Sequence, residues 1–177
     1  KDGKTQKANI EIWNSLITEK GIEIIKKRII MIDELNNILK NNLNEGSGEV
    51  ELKYSSKHFN DFSPEAMRSV FEKHFKENIY EEITRGTTTI GPHKDEIEIL
   101  YNLKPAKLYA SEGQQRISAI LIKLAEGLAL RKKLNVYPVV LLDDFSSELD
   151  DINRGIIGKT FSGFRQILIT TTSLSNL

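Results

Sequence analysis

Two adjacent carboxylates, Asp143 and Asp144, close the apolar run Val139-Val140-Leu141-Leu142, and chemistry is most concentrated at this point of the sequence. Four consecutive apolar residues after Tyr137-Pro138 read as a strand buried on both faces, because a half-exposed strand would alternate. Ligands of open α/β sheets bind beyond the carboxyl ends of strands, so the pair falls where a site belongs. Two like charges side by side repel and resist desolvation, and Mg²⁺, which takes one or two carboxylates with waters and phosphate oxygens, relieves that conflict. The competing reading has both carboxylates capping the next helix or accepting from loop amides. A second concentration lies upstream, at Ser111-Glu112-Gly113-Gln114-Gln115-Arg116, just before an apolar-periodic segment with Ile117, Ile120, Leu121, Leu124 and Leu128. A serine and a glycine at a helix entrance present a hydroxyl and unhindered N–H groups beside the positive end of the helix dipole, which suits phosphate. Taken singly, this hexapeptide reads as an ordinary N-cap.

The elements that must hold these residues follow from periodicity. From Gly86 to Pro92 the chain is Thr-rich and turn-forming; an alternating strand follows over 97–101, then a helix over 114–131, a strand over 138–142, a helix over 152–161 and a strand over 166–170. Strands alternating with helices predict an α/β layer with parallel strands. Before it, residues 7–44 repeat Ile10, Trp13, Ile17, Ile22, Ile25, Ile29, Ile32, Leu35, Leu39 and Leu43 at helical spacing, with Gly21 a possible break and Lys26-Lys27-Arg28 on a solvated face. Val50, Leu52 and Tyr54 alternate as a half-buried strand, and Ser63-Pro64 starts a helix to about Thr84 carrying Met67, Val70, Phe71 and Phe75. Phe59, Phe62, Phe71 and Phe75 read as core, and His93 as the maker of a structural hydrogen bond. His58 and His74 lack metal-ligand spacing.

Ser111–Arg116, Val139–Asp144 and Ser147-Glu148-Leu149-Asp150, in this order, resemble the signature motif, Walker B strand and D-loop of the second half of an ABC-type ATPase head. Among such heads the details are similar to the RecF family of bacterial recombination and DNA-repair ATPases: Gly91-Pro92-His93-Lys94-Asp95 before the signature, Leu-Leu-Asp-Asp followed by Ser-Glu-Leu-Asp-Asp, and Ile169-Thr170-Thr171-Thr172 near the end. Ile12-Trp13-Asn14 and Gly21–Arg28 resemble that family's helical arm. The resemblance implies an α/β C-terminal lobe of an ABC-type head over residues 86–177 and a partial helical arm over 1–85. It implies ATP and Mg²⁺ as cofactors, with Asp143 holding the metal and Asp144 orienting or deprotonating the attacking water. Ser111, Gly113 and Gln114 match the signature that meets the γ-phosphate of ATP on the opposite subunit, Asp150 the D-loop aspartate, and Thr171 the vicinity of the switch histidine of transporters. No histidine follows Asp150, and Glu112 replaces the first glycine of the generic signature.

As partners the resemblance implies DNA at gaps or single-strand/double-strand junctions, recombination mediator proteins of the same pathway and an ATP-dependent homodimer, in the cytoplasm. A phosphate-binding loop of the form Gly-x-x-x-x-Gly-Lys-Ser/Thr does not occur: Gly158-Lys159-Thr160 has Asn153 where the first glycine belongs, and Gly3-Lys4-Thr5 has no room upstream. With Lys1 in place of Met, this leads us to expect the C-terminal piece of a longer protein. Such a piece is expected to be inactive by itself. The alternatives are a non-catalytic DNA- or protein-binding module, or the head of another SMC-like ATPase, which the short heptad-like stripe disfavours. Composition adds bounds. The chain has 177 residues, no Cys, and 25 basic against 25 acidic side chains, which excludes thiol chemistry and argues against gripping nucleic acid by bulk charge. Its apolar stretches fall far short of the ~20 residues that span a bilayer, so no membrane partner is expected.

Overall fold

In the computed structural model the described residues are 2–43, 48–143, 155, 157, 158 and 161–170. The expected helix over 152–161 and the 147–150 motif therefore lie outside them, wholly or for the most part. Two compact units form, Lys1–Met31 with Tyr54–Ile97, and Ile32–Lys53 with Glu98–Leu177.

The first unit is built on helix α1, Asp2–Ile38, whose early part belongs to it, and helix α2, Pro64–Arg85. Gly21 does not interrupt α1. Its missing Cβ is a packing device: a Cβ there would lie 2.9 Å from Cζ of Phe71, so only glycine lets the helix approach that ring. Phe71 is fully buried, tilted against Phe59 and Phe75 at centroid distances of 5.1 and 5.9 Å, and Ile22, Ile25, Met67 and Ile90 complete the core. Trp13, expected on the apolar stripe, is 61% exposed. The start of α2 matches its local chemistry: Pro64 occupies the first turn, Ser63 Oγ accepts from the Ala66 N–H, and Gly86 at φ 66° closes the helix with its N–H on Ile83 O.

In the second unit α1 runs out into a single π-helical turn, Leu39–Leu43, with Leu39 and Leu43 buried. Strand β1, Val50–Ser55, which begins in this unit, buries Val50, Leu52 and Tyr54 and turns Lys53 and Ser55 outward, as its alternation predicts. Asn36 flanks the strand like an additional partner, its amide donating to Leu52 O and its carbonyl accepting from Leu52 N, both at 2.8 Å. Strand β2, Glu96–Tyr101, follows β1 in a three-stranded sheet that ends with the two-residue β3, Lys104–Pro105, antiparallel to β2.

The turn between β2 and β3 is Asn102-Leu103, with both residues at positive φ, 49° and 63°. That is the twist a two-residue hairpin requires, reached here without glycine. Asn102 is anchored, its N–H donating to Glu49 O and its Oδ1 accepting from Glu49 N, both at 2.8 Å. Leu103 is 69% exposed and gains no burial to offset a left-handed backbone. Leu103→Gly should therefore stabilise the fold by about 1 kcal/mol, the left-handed penalty less the extra freedom of unfolded glycine. The measurement is the urea midpoint, which should rise at constant slope.

A short helix α3, Ala106–Tyr109, leads to the long helix α4, Glu112–Leu134, which buries Ile117, Ser118, Leu121, Leu124 and Ala125 and packs on the Leu39–Leu43 turn. Strands β4, Val139–Leu142, and β5, Gln166–Ile169, pair in parallel, with Leu142 opposite Ile169. The expected parallel pair is present. The expectation that β4 is buried on both faces is overturned: Val140 and Leu142 are half-buried, but Val139 is 50% and Leu141 70% exposed. An unbroken apolar run reports a strand's suitability for a two-sided environment, and among the described residues only one face of β4 has one. No helix of the described residues is long and apolar enough to cross a membrane.

Candidate functional site

Ser111 is the N-cap of α4 and forms a complete capping box: its Oγ accepts from the Gln114 N–H at 3.3 Å, while Gln114 Oε1 accepts from the Ser111 N–H at 2.9 Å. Sequence gives this box its form, a serine followed three residues later by glutamine. Gln115 adds a bond from Nε2 to Ala110 O, 3.0 Å. The first-turn amides of Glu112 and Gly113 are not used by the box, and the Ser111 hydroxyl keeps its own hydrogen. The exposed entrance can therefore donate to an anion while remaining capped.

Asp143 follows the last residue of β4 and is exposed. Thr170 follows the last residue of β5, its N–H donates to Leu142 O at 2.9 Å, and its hydroxyl donates to Asp143 Oδ1. The structure thus brings Asp143 and Thr170 together at the carboxyl end of two parallel strands, and brings Ser111 and Gln114 together at the start of α4. Asp144, Asp150 and Thr171 lie outside the described residues. Thr170 escaped the sequence reading; the signal available was its place as the first polar residue after β5, in a run of three threonines that does not identify which one meets the aspartate.

Behind the site, α4 is tied to the turn that feeds β5. Arg131 donates to Gly163 O at 2.8 Å and to the Tyr137 hydroxyl at 3.3 Å, and the guanidinium groups of Arg131 and Arg165 stand 4.5 and 4.2 Å from the Tyr137 ring centre. A Cβ on Gly127 would lie 2.8 Å from the Phe164 ring, and one on Gly163 2.8 Å from Leu128 Cδ2. Arg131 is a clamp between α4 and the turn that feeds β5.

The Gly91–Asp95 motif forms a turn closed by the Lys94 N–H on Gly91 O, 2.9 Å. Arg28 donates to Pro92 O, Tyr54 and Ser56 donate to the two oxygens of Asp95, and His93 Nε2 donates to Thr88 O at 3.1 Å. His93 thus makes the structural hydrogen bond expected of it, whereas Arg28 is turned inward from its solvated neighbours Lys26 and Lys27. Burial pushes the Tyr54 phenol up, helped by Asp95 and opposed by Arg28, so the hydroxyl remains a donor. Nearby, burial holds the His74 ring below the usual imidazole range against the pull of Glu82, while His74 Nε2 meets Thr89 Oγ1 at 2.7 Å.

Among the described residues no group of three or more His, Asp or Glu side chains could enclose a metal ion. Asp143 offers one carboxylate at an exposed strand end. That donor set suits Mg²⁺, which takes one or two carboxylates and fills its shell with waters and phosphate oxygens, and not a fully protein-ligated metal.

No protein-family model matches the chain. It is 34% identical to the DNA replication and repair protein RecF of Ligilactobacillus salivarius, over 98% of this chain and 47% of that protein. To the DNA replication and repair protein RecF of Geotalea daltonii it is 35% identical, over 97% and 49% respectively. The solved structure of the recombination mediator protein RecF-ATP in the RecFOR pathway superposes with a TM-score of 0.76 at 28% identity, covering 94% of this chain and 46% of that one. The chain corresponds to the C-terminal portion of RecF. A second RecF structure, with ATPrS, gives a TM-score of 0.75 at 29% identity. These RecF neighbours confirm the α/β class and the C-terminal lobe of an ABC-type head expected from the motifs. The chain spans about half the length of the RecF proteins it matches.

Proposed function

We propose that this chain supplies an arm, residues 1–85, and the signature, Walker B and D-loop lobe, residues 86–177, of a RecF-like DNA repair and recombination protein. That protein binds ATP with Mg²⁺, dimerises on ATP, hydrolyses it slowly and helps to load recombinase at single-strand gaps in DNA, beside mediator proteins of its pathway and in the cytoplasm. The observation that carries the reading is the placement of Asp143 and Thr170 at the carboxyl end of the parallel pair β4–β5, within a likeness to RecF that runs nearly the whole chain.

On this reading Asp143 holds Mg²⁺, whose charge offsets that of the phosphates when bound. Asp144 orients the attacking water and accepts its proton. Ser111, Gly113 and Gln114 form the capped entrance of α4 that donates to the γ-phosphate of ATP held by the opposite subunit; Asp150 serves as the D-loop aspartate at that interface, and Thr171 binds the nucleotide near the position of the transporters' switch histidine. Phosphoryl transfer depends mainly on positioning and charge stabilisation, and a rigidly capped helix entrance supplies the first. The phosphate-binding loop is expected from the portion of RecF that this chain does not match.

Ser111→Arg in the full-length protein tests the assignment. The long cation occupies the space of the γ-phosphate and removes the cap, so ATP-driven dimerisation, followed by sedimentation, should be lost while monomers still bind ATP. Loss of nucleotide binding by the monomer would put Ser111 on the wrong side of the nucleotide and defeat the reading.

A further inference from the structure

We infer that Thr170 is a positioning residue for Asp143, acting on the metal through that carboxylate; the inference rests on the reading of Asp143 given above. Parallel pairing sets Leu142 opposite Ile169, so the next residues, Asp143 and Thr170, leave the sheet together at one end. The Thr170 N–H extends the ladder by one rung to Leu142 O, 2.9 Å, which fixes the backbone from which its hydroxyl is presented. A β-branched side chain is stiff at χ1, so a fixed backbone also fixes the direction of Oγ1. That hydroxyl donates to Asp143 Oδ1. An ionised carboxylate only accepts, and with Oδ1 engaged its second oxygen still has lone pairs for a water or a cation. The bond restrains rotation of the carboxylate about its own axis, which would otherwise have to be lost at the moment of metal binding.

The expected size follows from hydrogen bonds of this kind elsewhere. Partners that orient metal-ligating groups typically change metal affinity by about 10–100-fold when removed. Thr170→Val keeps volume and branching and deletes the hydroxyl; Thr170→Ser keeps the hydroxyl. Thr170 is exposed, so neither change should move the thermal midpoint appreciably.

The experiment uses the full-length RecF-like protein with ATP and Mn²⁺ in place of Mg²⁺, the bound fraction of Mn²⁺ being read by electron paramagnetic resonance without reference to turnover. Thr170→Val should raise the half-saturating Mn²⁺ concentration about tenfold, with Thr170→Ser close to wild type. Unchanged Mn²⁺ affinity in Thr170→Val, alongside weakened affinity in Asp143→Asn, would overturn the role of Thr170 and leave Asp143 in place. Equal weakening by Thr170→Ser and Thr170→Val would also overturn it, because serine retains the donor. If Asp143→Asn itself leaves Mn²⁺ affinity unchanged, the reading of the aspartate fails and takes the inference with it.

Discussion

Asp144→Asn in the full-length protein should lower ATP hydrolysis by about 10²–10⁴-fold, the range that a positioned general base contributes. Asparagine has the same size and can still hydrogen-bond a water, but its amide cannot take the proton that the water must lose. The metal is assigned to the neighbouring Asp143, and nucleotide affinity to the phosphate-binding loop expected elsewhere in the protein. The change should therefore fall on kcat and leave KM for ATP nearly unaltered. With hydrolysis slowed and binding intact, the ATP-bound dimer should accumulate. Phosphate release under steady state and sedimentation with ATP measure the two halves of this prediction. A wild-type rate would remove Asp144 from the chemistry, whereas a rise in KM with kcat unchanged would make it a binding residue.

Phe71→Ala should cost about 3–5 kcal/mol, the usual range for deleting a buried aromatic ring. Phe71 is fully buried, and the surfaces around it are shaped to it: Phe59 and Phe75 tilt against the ring, and Gly21 has no Cβ on the side facing it. A glycine cannot move inward to fill the space, and two flanking aromatics lose their partner at once. At roughly 2 kcal/mol per molar urea for a chain of this size, the midpoint should fall by about 2 M at unchanged slope. A fall under a quarter of that would show that the helices collapse onto the vacancy and that the ring does not hold the unit together. The first unit carries no proposed catalytic residue, so a full-length protein with this change that remains folded in the cold should bind ATP normally.

What the sequence makes legible is what local chemistry decides. Ser63-Pro64 specifies a helix start because the cap and the preset φ lie within one turn, and Ser111 with Gln114 specifies a capping box in the same way. Val50, Leu52 and Tyr54 point to one face because side chains alternate along any strand. The parallel pairing of β4 with β5 follows from the order of elements. The features that stayed hidden depend on residues far away in sequence. Gly21 looks like a break until Phe71 is beside it, and Arg28 looks like one of three surface cations until the Pro92 carbonyl is within reach. Asn36 has no reason to be singled out before Leu52 passes it. Thr170 is one of three consecutive threonines, and strand register, not its chemistry, brings it to Asp143. For β4 the apolar pattern describes a preference that the described residues satisfy on one side.

The approach of α1 to Phe71 also constrains how this sequence can change over generations. Any larger residue at position 21 meets a buried ring before it gains the better helix propensity that alanine has over glycine, about 1 kcal/mol. A smaller residue at position 71 must come first, and that step is itself among the more damaging available to the core. The stepwise route to a changed pair therefore begins with a loss, and the two positions can change only with 71 first or both together. Glycine persists in mid-helix as half of a lock whose other half is an aromatic ring fifty residues downstream.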